Sequence, residues 1–227
     1  MFFAASGHHL SDRAGFLRYW RERGGALVFG YPISEEIVED GRVVQYFERA
    51  RFEYHAELAA AGEQVQLSLL GNELFGERAF APASPGDGTR FFPETQHTLS
   101  GKFLNFWTKR GGLAVFGYPI SQPFEEASPT DGATRIVQYF ERARFEYHPE
   151  ELGSFYQQQV QATGLNLAGL REVQLTDLGR MAAERRGLSF ASSAQLQGVP
   201  EGQPGMWSRR VDVDLTDKGR AEAVRGG

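Results

Sequence analysis

The sequence predicts an α+β protein: two tandem repeats, each with a short helix, a short strand and a β-hairpin, and a small C-terminal cap. Three observations predict it. The first is a duplication, which is sought before any local pattern. Residues 44–55 read VQYFERARFEYH and recur unchanged at 137–148. Ahead of them, Phe29-Gly30-Tyr31-Pro32-Ile33-Ser34 recurs as Phe116-Gly117-Tyr118-Pro119-Ile120-Ser121, an offset of 87. Phe2-Phe3, followed by His8-His9-Leu10-Ser11, recurs as Phe91-Phe92, followed by His97-Thr98-Leu99-Ser100. The second observation is an apolar stripe at helical spacing, Phe16, Leu17 and Trp20, repeated as Phe103, Leu104 and Trp107. The third is the alternation of Val, Tyr and Phe with charged residues inside the invariant twelve, the pattern of a hairpin.

In chain order, Ser11 and Ser100 are placed as helix N-caps, and Asp12 lies favourably near the positive end of the first dipole. Gly24 and Gly111 close the helices. Residues 26–29 read as a short apolar strand, and Gly30-Tyr31-Pro32 as the turn that leaves it, since Pro32 holds Tyr31 extended. For the hairpin the turn is placed at Arg49-Ala50. That register sets Phe47 opposite Phe52 and Gln45 opposite Tyr54 on one face. Glu48 opposite Arg51, Tyr46 opposite Glu53 and Val44 opposite His55 share the other. The aromatic face then packs on the Phe/Trp helix, and the charged face presents a tyrosine to solvent. Residues 65–70 read as a strand running into a helical turn at 71–75. The resulting divisions are 1–80 for the first repeat, 81–90 for a Pro/Gly/Ser-rich linker, 91–170 for the second repeat and 171–227 for a helical/β tail. A second Gly/Pro-rich stretch, 198–205, divides that tail.

Composition narrows the function classes. A chain of 227 residues buries roughly 70% of its unfolded surface and needs no disulfide or metal to fold. With no cysteine, thiol nucleophiles, zinc–thiolate sites and iron–sulfur clusters are excluded. A net charge of −5 opposes binding to nucleic acid or anionic membrane. No apolar run is long enough to insert in a bilayer, and residues 1–4 have neither a basic n-region nor an apolar stretch of signal-peptide type. Motifs for phosphate loops, dinucleotide folds and hydrolase elbows are missing.

Phe-Leu-x-x-Trp-x-x-x-Gly-Gly, then Phe-Gly-Tyr-Pro, then Gln-Tyr-Phe-Glu-x-Ala-x-Phe-x-Tyr, resembles the LGFP repeat of bacterial cell-envelope proteins. The resemblance covers residues 2–78 and 91–150. Phe29 and Phe116 stand where that repeat carries Leu, and Ala50 and Ala143 where it usually carries Gly. It implies a non-catalytic module associated with cell-wall glycan, located in the envelope or outside the cell, with no cofactor.

The residues that would carry binding are Tyr46, Glu48, Arg51, Glu53 and His55, with Tyr139, Glu141, Arg144, Glu146 and His148. A tyrosine ring offers a flat apolar surface to the C–H face of a sugar, while Arg and Glu supply directed hydrogen bonds. The expected partner is a cell-wall glycan or an envelope protein. The alternative is a structural or protein–protein scaffold without a small ligand. Two further readings are weaker on chemistry. A glycosidase needs one carboxyl group held protonated, yet the register pairs Glu48 with Arg51. His8, His9 and His97 lack zinc-ligand spacing and read as turn residues before the helix. Residues 208–220 are similar to the wing and following helix of MarR-type regulators, but no recognition helix precedes them and Thr216 as an N-cap explains the pattern.

Overall fold

The computed structural model describes residues 1–129, 131–149, 172–188, 211–215 and 221–225. Helices and antiparallel sheets coexist, so the class is α+β. The chain divides into two units, Met1–Ser68 with Gly179–Gly227, and Leu69–Leu178.

In unit 1, β1 (Phe2–Phe3) pairs with β2 (His8–His9), and α1 (Phe16–Glu22) and α2 (Gly25–Val28) follow. Next comes an antiparallel sheet of β3 (Ile37–Glu39), β4 (Arg42–Tyr46), β5 (Arg51–Tyr54) and β6 (Val65–Leu67), in that order, with a 3-10 turn at Ala56–Ala61 between the last two. Unit 2 opens with α3 (Leu70–Phe75). It continues with paired β7 (Thr89–Phe92) and β8 (His97–Ser100), then α4 (Gly101–Lys109) and α5 (Gly112–Phe116). Its sheet is β9 (Phe124–Ala127), β10 (Thr134–Tyr139), β11 (Arg144–Tyr147) and β12 (Val173–Leu175). Helix α6 (Leu178–Arg185) starts at the last residue of unit 2, and the rest of it belongs to unit 1. Strands β13 (Val211–Leu215) and β14 (Ala221–Arg225) form an antiparallel pair. Of the stretch 208–220 only residues 211–215 are described, as strand; Thr216 and the stretch 198–205 lie outside the described residues.

Several expectations are corrected. Helix α1 begins after Gly15, at φ 81°, not at Ser11, whose hydroxyl donates instead to Glu36 at 2.5 Å. Ser100 does sit at the N-cap of α4, in extended backbone, but its side chain makes no capping bond. The expected strand at 26–29 is a helical turn: Phe29 N–H donates to the Gly25 carbonyl at 2.9 Å and Gly30 N–H to Ala26 at 3.1 Å. Gly24 and Gly25, both at positive φ, turn the chain directly from α1 into this turn, which buries Val28 and Phe29 and leaves Leu27 exposed.

The hairpin register is shifted by two. Tyr46 pairs with Arg51, Gln45 with Phe52 and Val44 with Glu53. Residues 47–50 form a four-residue loop closed by Phe47 N–H to the Ala50 carbonyl at 2.8 Å. Arg49-Ala50 cannot easily supply the positive φ of a two-residue turn, and the wider loop avoids that demand. Because a slip of two restores each side chain to its face, the Phe52 face still packs on the helices. The Phe52 ring lies 5.8 Å from Phe16, 4.9 Å from Phe29 and 4.1 Å from Phe47. Phe145 repeats this with Phe103, Phe116 and Phe140 at 5.8, 4.9 and 4.1 Å.

A boundary at 171 cuts through a sheet. Residues 173–175 pair with β11 as residues 65–67 pair with β5. The sequence carries the sign: Val65-Gln66-Leu67-Ser68-Leu69-Leu70-Gly71 recurs as Val173-Gln174-Leu175-Thr176-Asp177-Leu178-Gly179.

Candidate functional site

Of the charged residues singled out from the sequence, Arg51, Glu53 and His55 come together in unit 1, half-buried around Arg51, and Arg144, Glu146 and His148 come together in unit 2 beneath the surface. Tyr46 is 0% exposed and Tyr139 2%. In unit 2, Arg144, 1% exposed, is the centre. Its guanidinium donates to Glu146, to Thr176 Oγ1 at 2.8 Å and to Glu126 Oε2 at 3.0 Å. Tyr139 OH donates to Glu126 Oε2 at 2.5 Å, and Arg78 reaches Glu126 Oε1 at 2.6 Å. His148 Nε2 lies 3.2 Å from Glu146 Oε2. The rings of Phe75, Phe80 and Phe124 lie at 4.6, 5.4 and 5.9 Å from Tyr139 and cover it.

Unit 1 repeats the arrangement. Arg51 donates to Glu39 at 2.8 Å, Glu53 at 2.7 Å and Ser68 at 2.9 Å. Tyr46 OH donates to Glu39 Oε2 at 2.9 Å, and His55 Nε2 lies 3.3 Å from Glu53. The expected solvent-facing tyrosine among charges is thus a buried ion-pair network, because the sheet is covered on both faces. Glu48 and Glu141 are not part of it. Glu48 Oε2 accepts the Tyr31 N–H at 3.0 Å, and Glu141 Oε2 accepts that of Tyr118 at 3.0 Å, so both loop carboxylates hold the Gly-Tyr-Pro turn instead of Arg51 or Arg144.

The electrostatics suit cohesion. Burial opposes ionisation of Glu53, but Ser68, Arg51 and His55 outweigh it and hold its pKa below the ordinary value. Burial likewise works against Glu126, and Tyr139, Arg78 and Arg144 together hold it low. Burial and the Glu39 hydrogen bond push Tyr46 up; burial and Glu126 do the same to Tyr139. A carboxylate held ionised by an arginine is poorly suited to deliver a proton. Among the described residues no group of three His, Asp or Glu is placed to hold a metal ion.

Glu39, Glu126, Ser68 and Thr176 complete the networks and were not among the expected site residues. Glu39 and Glu126 share the 87-residue offset of the Gly-Tyr-Pro segment, and Ser68 and Thr176 sit in the VQL echo, so both signals were present in the sequence.

A second locus assembles residues that the sequence leaves in three separate motifs. Phe3, from the Phe-Phe strand, lies 5.2 Å from Trp20 of α1 and 5.6 Å from Tyr31 of the Gly-Tyr-Pro turn. Trp20 Nε1 donates to the Gly30 carbonyl at 2.9 Å. Gly30, at φ 76°, must be glycine, since a Cβ would come within 2.5 Å of the Glu48 side chain. Phe92 repeats the triad with Trp107 at 5.6 Å and Tyr118 at 5.8 Å. There Arg90 lies over both Phe92 and Trp107 at 4.9 Å, and Tyr118 OH donates to Glu94 at 3.2 Å. In unit 1 the corresponding residue is Met1, and Tyr31 is 37% exposed. Each triad is an aromatic cluster: Phe3, Phe92 and Trp107 are buried, and the tyrosine stands at its rim.

No helix among the described residues is long and apolar enough to cross a membrane. No family model matches the chain, and no curated protein sequence matches it.

Proposed function

We propose that the protein is a non-catalytic module of the bacterial cell envelope that binds cell-wall polysaccharide through Tyr31 and Tyr118, the rim residues of the Phe3/Trp20/Tyr31 and Phe92/Trp107/Tyr118 triads. One observation carries the reading. The Phe-Phe, Phe-x-x-x-Trp and Gly-Tyr-Pro motifs that make up much of the resemblance to LGFP repeats meet in one aromatic cluster, whose buried Phe3 backs the exposed Tyr31 ring at its edge. An exposed aromatic ring stacks on the apolar face of a pyranose, while its hydroxyl stays hydrated. The internal ion pairs of Arg51 and Arg144 favour a non-catalytic role, because their carboxylates serve the fold.

The test is co-sedimentation of the purified protein with insoluble peptidoglycan and related wall polysaccharides. Tyr31→Ala combined with Tyr118→Ala should weaken binding at least about ten-fold, on the scale of one to two lost stacking contacts, with little change in melting temperature. Failure of the unaltered protein to sediment with any wall fraction would overturn the glycan reading and leave the protein–protein scaffold. That second reading is favoured by the way the chain completes its two units.

A further inference from the structure

Each unit is completed by a segment that follows the other repeat's sheet. Residues 69–75 leave β6 of unit 1 and dock in unit 2, where the Gly71 and Asn72 N–H groups donate to the Glu141 carbonyl at 2.9 and 3.2 Å. Residues 179–188 leave β12 of unit 2 and dock in unit 1, where the Arg180 N–H donates to the Glu48 carbonyl at 3.0 Å. Asn72 and Arg180 occupy the same place after Leu-Gly, and Glu48 and Glu141 the same place in their loops. Gly71 and Gly179 make the approach possible. A Cβ on Gly71 would collide with the Phe140 carbonyl oxygen, and one on Gly179 with the Phe47 carbonyl and the Ala50 backbone.

The two receptor loops are identical, Phe47-Glu48-Arg49-Ala50 and Phe140-Glu141-Arg142-Ala143, whereas the docked segments share little beyond Leu-Gly. Identical receptors do not discriminate between ligands that present the same backbone donors and the same glycine. We infer that each hairpin loop is an interchangeable docking site for a Leu-Gly helix start, and that a second copy of this chain can supply that segment by reciprocal exchange. Within one chain the tether gives the segment an effective concentration in the millimolar range, so exchange between copies emerges only when chains refold at comparable concentration.

The test uses the 227-residue chain carrying Gly179→Trp, which cannot dock its own segment, and a fluorescent peptide of residues 172–188. The peptide should bind this variant at least about ten-fold more tightly than the unaltered protein, whose site is filled at high effective concentration. A peptide with tryptophan at the glycine position should lose that binding, and a peptide of residues 69–80 should compete for the site. Equal binding to variant and unaltered protein, or indifference to the glycine, overturns the inference. Should the variant not fold, the unaltered chain refolded at ~1 μM and ~1 mM decides it, since dimers are expected from the concentrated sample alone. Monomer from both, by light scattering, overturns it.

Discussion

Tyr46 and Arg144 show how a side chain's type and its role diverge. A tyrosine flanked by charges reads as a surface recognition residue. Here its ring is packed and its hydroxyl is spent on Glu39. Tyr46→Ala should therefore cost about 3–5 kcal/mol through the cavity it leaves, and Tyr46→Phe about 1–3 kcal/mol through the unsatisfied partner, both measured by urea unfolding. A near-neutral alanine variant would mean that the ring is not core. Arg144 compensates two carboxylates at once, so Arg144→Met should cost about 3–5 kcal/mol by leaving buried charge unpaired. The triple variant Arg144→Met, Glu126→Gln, Glu146→Gln should recover much of that loss. The candidate binding residues of the triads were legible as residues, but only as core or turn; nothing in one-dimensional spacing says that Phe3, Trp20 and Tyr31 meet.

Among elements, α3 and α6 carry the clearest consequence. Gly→Ala inside an exposed helix ordinarily stabilises by about 1 kcal/mol. At Gly71 the sign should reverse, because the methyl group meets the Phe140 carbonyl backbone, which cannot swing aside. Thermal melts of Gly71→Ala should show a clear loss; an unchanged or raised melting temperature would refute this close docking. The hairpins make a different point. Alternation assigned the faces of β4 and β5 correctly although the register was two residues off, since a slip of two preserves the face and a slip of one inverts it. Turn position was the weak link, because Glu-Arg-Ala carries no φ-specific residue. The strand expected at 26–29 failed for a related reason: four apolar residues fit a buried strand or a buried helical turn equally, and the Gly-Gly before them decides.

For the whole molecule the titrating groups define a stability window. Burial lowers the pKa of His97, so its contribution is present above the ordinary value of 6.5 and is lost as pH falls through its folded value. Glu53 and Glu126 are also lowered, and their contribution is lost in turn below the ordinary 4.5. Tyr46 and Tyr139 are raised, so theirs is present below the ordinary 10.0 and is lost as pH rises past it. Stability should thus hold level between about 6.5 and 10 and decline on both sides. A pH series of melting temperatures checks it, and His97→Gln should remove the decline nearest neutrality. A maximum at pH 5 would contradict the assignment.

The sequence by itself determined the α+β class, the duplicated segments, the helix stripes and which side chains share a strand face. These are consequences of local periodicity and steric preference, which act over a few residues. Tertiary structure alone decided that the charged face is covered, that α3 and α6 close hairpin loops far from them in the chain, and that three aromatic motifs meet in one cluster. Those outcomes depend on what covers a face once the chain has turned back on itself, and burial is a property of packing partners that no residue carries alone.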